Sequence, residues 1–179
     1  MDDHDLLARL RRGDEAAFDS IFRLHYAPIV GFVESMLRGR AEAEEIVQDV
    51  MLELWRRRES IAIQESLKAY LYRAARNRAL NDLRHQKVKR RAEPLLVGEE
   101  AAPPVGTAEL DHQELEVAVE KAMSLLTPDV RETFEMSRIH HLKYAEIADA
   151  QGISVKTVEA RMGKALKTLR DQLSPWLPG

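Results

Sequence analysis

Apolar residues recur at intervals of three and four along nearly the whole chain, and this spacing restricts the fold more than any other feature. In the segment AEAEEIVQDVMLELWRRR, acids occupy the first turns and arginines the last, as the helix dipole favours. One face of that helix carries Ile46, Val47, Val50, Met51, Leu54 and Trp55. No stretch alternates with the period of two typical of a half-buried strand. The pattern therefore predicts an all-α protein with Trp55 in its core.

Several helix boundaries can be predicted from single residues. Pro28 suits a first helical turn, so we expect a new helix to begin there and to end at Gly39. Ser66 is a candidate N-cap for a helix that runs to the basic cluster at residues 84–91. Thr127 followed by Pro128 has the order of an N-cap and a first helical residue, and two shorter helices are expected after that one.

The helical pattern stops between Ala92 and Thr107. The sequence EPLLVGEEAAPPVGT contains three prolines and two glycines and has no helical period. Such a composition is typical of a flexible linker. We therefore predict two small helical domains, residues 1–91 and 108–179, joined by an acidic linker at 92–107.

The net charge of -3 conceals a strongly uneven distribution. Nine lysines and arginines against two acids give residues 65–91 a net charge of +7, and five against one give residues 156–170 a charge of +4. Residues 92–120 hold eight acids and no lysine or arginine. Basic blocks on helices are suited to nucleic acid, although each could also be only a solvated face.

The segment YAEIADAQGISVKTVEARMG, residues 144–163, has the pattern of a helix-turn-helix motif. Ala148 allows two helices to cross closely, and Gly152 permits the positive φ of a tight turn. The second helix, capped by Ser154, would lie in the major groove of DNA. Its DNA-facing candidates are Ser154, Lys156, Thr157, Glu159, Ala160, Arg161 and Lys164. The alternative is a helical hairpin without a DNA role.

Three segments resemble the extracytoplasmic-function (ECF) sigma factors of bacterial RNA polymerase. Residues 41–60, with IVQDVMLELW, resemble the polymerase-binding segment, and LKAYLYRAARNRALNDLR resembles the promoter-melting helix. The run from SLLTPDV to KALKTLR resembles the C-terminal domain of the family. The resemblance covers nearly the whole chain apart from the linker and the last residues, and the three segments occur in the family's order.

The resemblance implies a sigma-2-like domain that binds core polymerase and opens the -10 promoter element, followed by a sigma-4-like domain that reads the -35 element. The implied polymerase contacts are Gln48, Asp49, Leu52 and Glu53. Without the resemblance, these four residues read as an ordinary solvated helix face. The implied partners are core polymerase, promoter DNA and an anti-sigma factor.

Capture of melted DNA needs positive charge, flat side chains for stacking and amides for base edges. The candidates in the first domain are Tyr70, Tyr72, Arg73, Arg76, Asn77, Asn81 and Arg84. Asn77 falls where the family places a residue of the flipped-base pocket, whereas either tyrosine could instead belong to the core. Glu159 stands where many family members carry arginine or lysine, and Gly163 stands where they carry a large side chain. The -35 sequence therefore cannot be transferred from better-known relatives.

Two rival functions are weaker. A stand-alone helix-turn-helix regulator would need a receiver or sensor domain, for which residues 1–91 lack alternating strands and helices. An enzyme would need an acid–base pair, a nucleophile or a metal site, and the adjacent His140 and His141 point about 100° apart on a helix. We expect no cofactor. The absence of cysteine, of a signal peptide and of a long apolar run predicts a cytoplasmic protein without membrane insertion.

Overall fold

The computed structural model describes residues 3–92 and 110–177, which form eight α-helices and one short 3-10 helix, with no strand among these residues. The helices are α1 (Asp3–Arg11), α2 (Glu15–Leu37), α3 (Arg40–Arg56), α4 (Leu67–Ala92), α5 (Leu110–Ser124), α6 (Pro128–Arg138), α7 (Tyr144–Gln151), α8 (Val155–Leu173) and the 3-10 helix Ser174–Trp176. The all-α prediction is confirmed. The predicted linker lies, from residue 93 onward, outside the described residues.

Local signals set the first turns of the N-terminal domain. Gly13 adopts a φ of +81°, and Asp14 then caps α2 by accepting hydrogen bonds from the amides of Ala16 at 2.9 Å and Ala17 at 3.3 Å. Arg38 closes α2 in the left-handed conformation, with its amide donating to the carbonyl of Glu34. The Asp14 cap thus begins α2 after the turn from α1, and Arg38 ends α2 before α3.

The prediction that a new helix begins at Pro28 is wrong. Pro28 lies inside α2, which continues from Glu15 to Leu37. A proline in a helix interior costs about 3 kcal/mol, because it removes one backbone hydrogen bond. Pro28 is exposed, whereas Ile29, Val30, Phe32 and Val33 just beyond it are fully buried. Burial of each such side chain contributes about 1.5–3 kcal/mol, which outweighs the lost hydrogen bond.

The long helix α4 begins where the sequence predicted. Ser66 accepts a hydrogen bond from the amide of Ala69 at 3.0 Å and so caps the helix. Leu67, Leu71, Ala75 and Ala79 form its buried stripe, which packs against α2 and α3. The opposite side of α4 contacts α7 along part of its length.

The C-terminal domain is built on the predicted helix-turn-helix. The eight-residue α7 ends at Gly152, whose φ is +66°, and Ser154 caps α8 by accepting from the amide of Thr157 at 3.1 Å. Thr127 is the N-cap residue of α6, but its side chain makes no capping hydrogen bond. The prediction of two short helices after α6 is wrong for α8, which has 19 residues. Its extra turns are held because Ala165 and Leu169 pack against Met123, Leu126 and Val130.

The main hydrophobic core extends through both domains. Buried residues of α1 to α4 form one cluster with residues of the second domain, including Met136, Leu142 and Ile147. As a result α4 lies between the first-domain core on one side and α7 on the other. None of the helices within 3–92 and 110–177 has the length and apolar character needed to span a membrane.

Candidate nucleic-acid interface

The exposed face of α4 carries several of the predicted DNA contacts. Arg73, Asn77, Asn81 and Arg84 follow each other at intervals of four, four and three residues and are all exposed. This spacing places them in one row along the helix. The row offers two guanidinium groups and two amides, which suit phosphates and base edges.

Asn77 lies at a groove between α3 and α4. The groove has a volume of about 290 Å³ and is lined by Val50, Glu53, Arg57, Tyr70, Arg73, Ala74, Asn77 and Arg78. Tyr70 is half-buried at its side, and burial raises the pKa of its hydroxyl. An aromatic ring, an amide and several cations around one opening can hold a flat, polar base beside its phosphate.

Charged side chains of α3 and α4 form a network at the edge of this groove. Glu53 pairs with Arg57 at 3.0 Å and with Arg78, and Arg78 also reaches Asp49 at 3.8 Å. The hydrogen bond from Arg57, and then the charge of Arg78, hold the pKa of Glu53 below its usual range. Glu53 is therefore a carboxylate that ties the two helices together.

The other three predicted polymerase contacts lie on the outer surface of α3. Gln48, Asp49 and Leu52 are exposed, and Leu52 is 47% exposed despite its apolar side chain. Gln48 also donates a hydrogen bond to the hydroxyl of Tyr26 at 3.3 Å. The structure thus brings these three together on one accessible surface and places Glu53 at its half-buried margin.

Tyr72 does not lie in the exposed row of α4. Its side chain is 1% exposed, with its ring centroid 5.2 Å from that of Phe32 and 5.4 Å from that of His140. Its hydroxyl shares a hydrogen bond of 3.1 Å with Nδ1 of His140. Burial raises the pKa of Tyr72 and lowers that of His140 to about 4. In this arrangement Tyr72 has the core position that the sequence left open as its alternative.

The recognition helix α8 presents a mostly polar outer surface. Lys156, Glu159, Ala160 and Lys164 are exposed, together with the cap residue Ser154. Thr157 is half-buried and shares a hydrogen bond of 2.9 Å with the hydroxyl of Ser154. Six of the seven predicted -35 contacts therefore occupy the first turns of one helix, on the side away from its buried stripe or at its cap.

Arg161 is held by its own domain. It donates to Gln151 at 3.3 Å and lies 3.5 Å from a carboxylate oxygen of Asp129. Gln151 is buried and accepts a second hydrogen bond from Thr133 at 2.8 Å. Arg161 thus connects α8 to α7 and to the start of α6.

The partners of the α4 arginines could not be predicted from the sequence. Arg76 pairs with Glu132 of α6, and Arg73 pairs with Asp149 of α7. These partners lie 56 and 76 residues away along the chain, so no local pattern joins them. Caps and helical periodicity involve residues within a few positions of each other, so the sequence carried no signal for these pairs.

The first domain has four helices and exposes the row of two arginines and two asparagines on α4. Together with the helix-turn-helix domain that follows, it defines a two-domain nucleic-acid-binding protein. Residues 21–88 match the family described as Sigma-70 region 2, and residues 116–169 match Sigma-70, region 4. The first match covers α2 to α4 almost completely, and the second covers most of α5 to α8.

Relatives match over nearly their full length. RNA polymerase sigma factor CarQ of Myxococcus xanthus is 29% identical over 93% of this chain and 95% of its own. The ECF RNA polymerase sigma factor RpoE of Cereibacter sphaeroides is 29% identical over 90% of this chain and 88% of its own.

Two solved structures share the fold. Sigma factor RpoE of Bartonella quintana, in complex with the anti-sigma factor NepR, aligns with a TM-score of 0.66 and 23% identity over 88% of this chain and 96% of its own. CnrH, in complex with the cytosolic domain of CnrY, aligns with a TM-score of 0.66 and 22% identity over 97% of both chains.

The chain belongs to the sigma-70 family of RNA polymerase sigma factors, in its ECF group. A stand-alone helix-turn-helix regulator is not favoured, because a region 2 domain precedes the helix-turn-helix.

Proposed function

We propose that this sigma factor directs core RNA polymerase to promoters by reading the -35 element with α8 and capturing an opened strand of the -10 element at the groove between α3 and α4. The observation that carries this proposal is the row of Arg73, Asn77, Asn81 and Arg84 beside that groove. A duplex reader needs only the helix-turn-helix, whereas amides and an aromatic ring around a small opening suit an unpaired base.

The two domains have separate roles. Residues 1–91 bind core polymerase through Gln48, Asp49, Leu52 and Glu53 and engage the -10 element, and residues 108–179 engage the -35 element. Promoter recognition then depends on the segment 92–107 to set the reach between them. The protein contributes no catalysis of its own, since polymerase supplies the chemistry, and it works in the cytoplasm, where bacterial transcription takes place.

A protein partner regulates it. Both structural relatives were solved in complexes, one with an anti-sigma factor and one with the cytosolic domain of CnrY. We propose that an anti-sigma factor likewise binds this chain and competes with core polymerase for it.

Run-off transcription with core polymerase tests the proposed function. Transcript starts are sequenced after overexpression, and the promoters found are transcribed in vitro with core polymerase alone or with the purified chain. We expect specific transcripts only when the chain is present. Arg84→Ala should reduce them several-fold, whereas Gln172→Ala, at an exposed position late in α8, should not. The absence of promoter-specific transcripts with every core polymerase tried would contradict the proposal.

A further inference from the structure

A buried glutamine connects the recognition helix to the other two helices of its motif. Gln151 is the last residue of α7 and is only 9% exposed. Its side-chain oxygen Oε1 lies 3.3 Å from Nη1 of Arg161 on α8 and 2.8 Å from the hydroxyl oxygen of Thr133 on α6. A single amide oxygen of α7 therefore accepts hydrogen bonds from both α6 and α8.

The orientation of the Gln151 amide follows from the chemistry of its neighbours. A guanidinium has only N–H donors, so the Gln151 atom that faces Arg161 must be the oxygen. An amide oxygen cannot donate, so the Thr133 hydroxyl donates to this same atom. The Thr133 side chain is fully buried, and its hydroxyl also lies 2.9 Å from the carbonyl oxygen of Asp129, one turn earlier in α6. These contacts hold the amide with its oxygen towards Arg161.

The nitrogen of the same amide is unsatisfied. Nε2 of Gln151 is buried and has no hydrogen-bond partner within residues 3–92 and 110–177. A buried, unpaired donor opposes folding, and an apolar side chain of similar length would avoid this cost. Without the Gln151 oxygen, Thr133 would keep the Asp129 carbonyl, and the Arg161 side chain, which is 20% exposed, would keep solvent. The stability of the domain therefore does not explain an amide at position 151.

The contact that Gln151 does provide is a fixed support for the Arg161 guanidinium. The second support is the Asp129 carboxylate, 3.5 Å from Nη2, and that side chain is 69% exposed. An exposed ion pair is screened by solvent and holds a side chain weakly, so the buried amide is the firmer of the two supports. Each terminal nitrogen of the guanidinium carries a second N–H group, which a base edge can bind while the supports remain in place.

We propose that Gln151 is a positioning residue for reading the -35 element, and that its buried amide directs the Arg161 guanidinium towards a guanine in the major groove. This role rests on the proposed function, because it concerns the reading of DNA by α8. An arginine side chain loses rotational freedom when it binds. Fixing it beforehand removes that cost for the base pair whose acceptors match the fixed geometry, and not for others. Gln151 thereby contributes to discrimination between base pairs without touching DNA.

Exchange of Gln151 for methionine tests the positioning role. Methionine has a similar length and no amide, so Gln151→Met removes the supporting oxygen and the unpaired nitrogen together. Holoenzymes containing the full-length chain are bound to promoter duplexes with the correct -35 element or with one substituted base pair, on a promoter located by its transcript start. The base pair read by Arg161 is the one whose substitution no longer matters in Arg161→Ala.

At that base pair, Gln151→Met should lower the discrimination between correct and substituted DNA about fivefold. Thermal unfolding of the free chain, followed by circular dichroism, should show an unchanged or higher midpoint, because the buried unpaired donor is gone. A residue with only a structural role would instead lower the midpoint and weaken binding to all sequences equally.

Three further variants separate positioning from a general effect on the domain. Gln151→Met added to Arg161→Ala should cause no further loss of discrimination, because the supported side chain is already absent. Gln151→Glu keeps a side-chain oxygen towards Arg161 and should retain most of the discrimination. Gln172→Met makes the same exchange at an exposed position late in α8 and should behave as wild type does.

Thr133→Val tests the same support from α6 if Gln151→Met lowers the unfolding midpoint. Valine has the shape of threonine without the hydroxyl that orients the amide, so discrimination should fall about twofold at the Arg161 base pair. Full discrimination in a well-folded Gln151→Met or Thr133→Val holoenzyme would overturn the positioning role. A further loss in the Arg161→Ala background, or discrimination at every base pair by Arg161→Ala itself, would overturn it as well.

The same measurements distinguish the positioning role from the proposed function. If wild-type and Gln151→Met holoenzymes discriminate equally among -35 elements, the positioning role is wrong and the reading of promoters by α8 stands. If the wild-type holoenzyme binds all -35 elements equally, the proposed reading by α8 fails, and the positioning role fails with it.

Discussion

At the scale of single residues, the cationic side chains of α8 differ in how firmly neighbouring residues hold them. Lys164 is exposed, whereas Arg161 is held by Gln151 and Asp129. An arginine fixed by a buried glutamine points in a defined direction, which suits specific contact with a base. A lysine without such support is suited to contact with the phosphate backbone of DNA.

Arg161→Ala is expected to weaken binding to the correct -35 sequence by about 1–3 kcal/mol, as for a bidentate contact to guanine. Lys167→Ala, at an exposed position one turn beyond Lys164, should weaken binding less and equally on all sequences. The measurement is affinity of the holoenzyme for correct and substituted -35 elements. Equal losses on both kinds of DNA for both variants would show that Arg161 contacts only the backbone.

His140, at the contact between the two domains, makes the stability of the protein depend on pH. Burial, and then the charge of Lys68, lower the pKa of His140 from 6.5 to about 4. The unfolded chain therefore binds more protons than the native chain between these values, so stability falls as the pH falls through this window. Burial also lowers the pKa of His25, which acts in the same direction.

Between pH 7 and pH 5 we expect the free energy of unfolding to fall by on the order of 1 kcal/mol from His140, after allowance for its partial exposure to solvent. Urea unfolding at both pH values measures this. His140→Gln should lose less stability on acidification than wild type, and His85→Gln, at an exposed position, should behave as wild type does. An identical loss in wild type and His140→Gln would contradict the assignment.

At the scale of elements, the local signals predicted most boundaries correctly. Ser66, Gly152 and Ser154 cap or end helices where the sequence placed them, because a cap depends on neighbours within three residues. Pro28 and the length of α8 were predicted wrongly. Both depend on burial against distant helices, which outweighs the local preference.

Two glycines of the helix-turn-helix domain should respond in opposite directions to alanine. Gly152 has a φ of +66°, so Gly152→Ala is expected to cost about 1 kcal/mol of stability, although no atom lies within 4 Å of the added Cβ. Gly163 lies inside α8 with the same open space, so Gly163→Ala should stabilise by about 1 kcal/mol. Thermal unfolding followed by circular dichroism measures both. A loss of stability in Gly163→Ala would show that this position is strained for another reason.

At the scale of the whole molecule, the sequence predicted two helical domains but not their contact. The pairs Arg76–Glu132 and Arg73–Asp149 join residues 56 and 76 positions apart. Neither helical periodicity nor a capping residue indicates a contact between residues so far apart in the sequence. The α8 candidates were predicted from the helix-turn-helix pattern, and the polymerase contacts and the role of Asn77 from the ECF resemblance. What the resemblance did not provide is that Tyr72 is buried and that two arginines are already paired.

For the whole protein, Asn77 is the residue proposed to capture an extruded base of the -10 element. It lies exposed at the groove and outside the buried stripe of α4. Unstacking a base costs a few kcal/mol, and a pocket that binds the base edge offsets this only after the strand opens. Loss of one such hydrogen bond, about 1.4 kcal/mol, lowers the equilibrium constant for open-complex formation about tenfold.

Permanganate footprinting of promoter thymines with wild-type and Asn77→Ala holoenzyme makes the measurement, with Gln172→Ala as the control. We predict that Asn77→Ala leaves polymerase binding and -35 recognition intact, lowers open-complex formation about tenfold, and regains most of its activity on a template with a pre-formed bubble. Normal melting of duplex promoters by Asn77→Ala holoenzyme would show that Asn77 does not capture the extruded base.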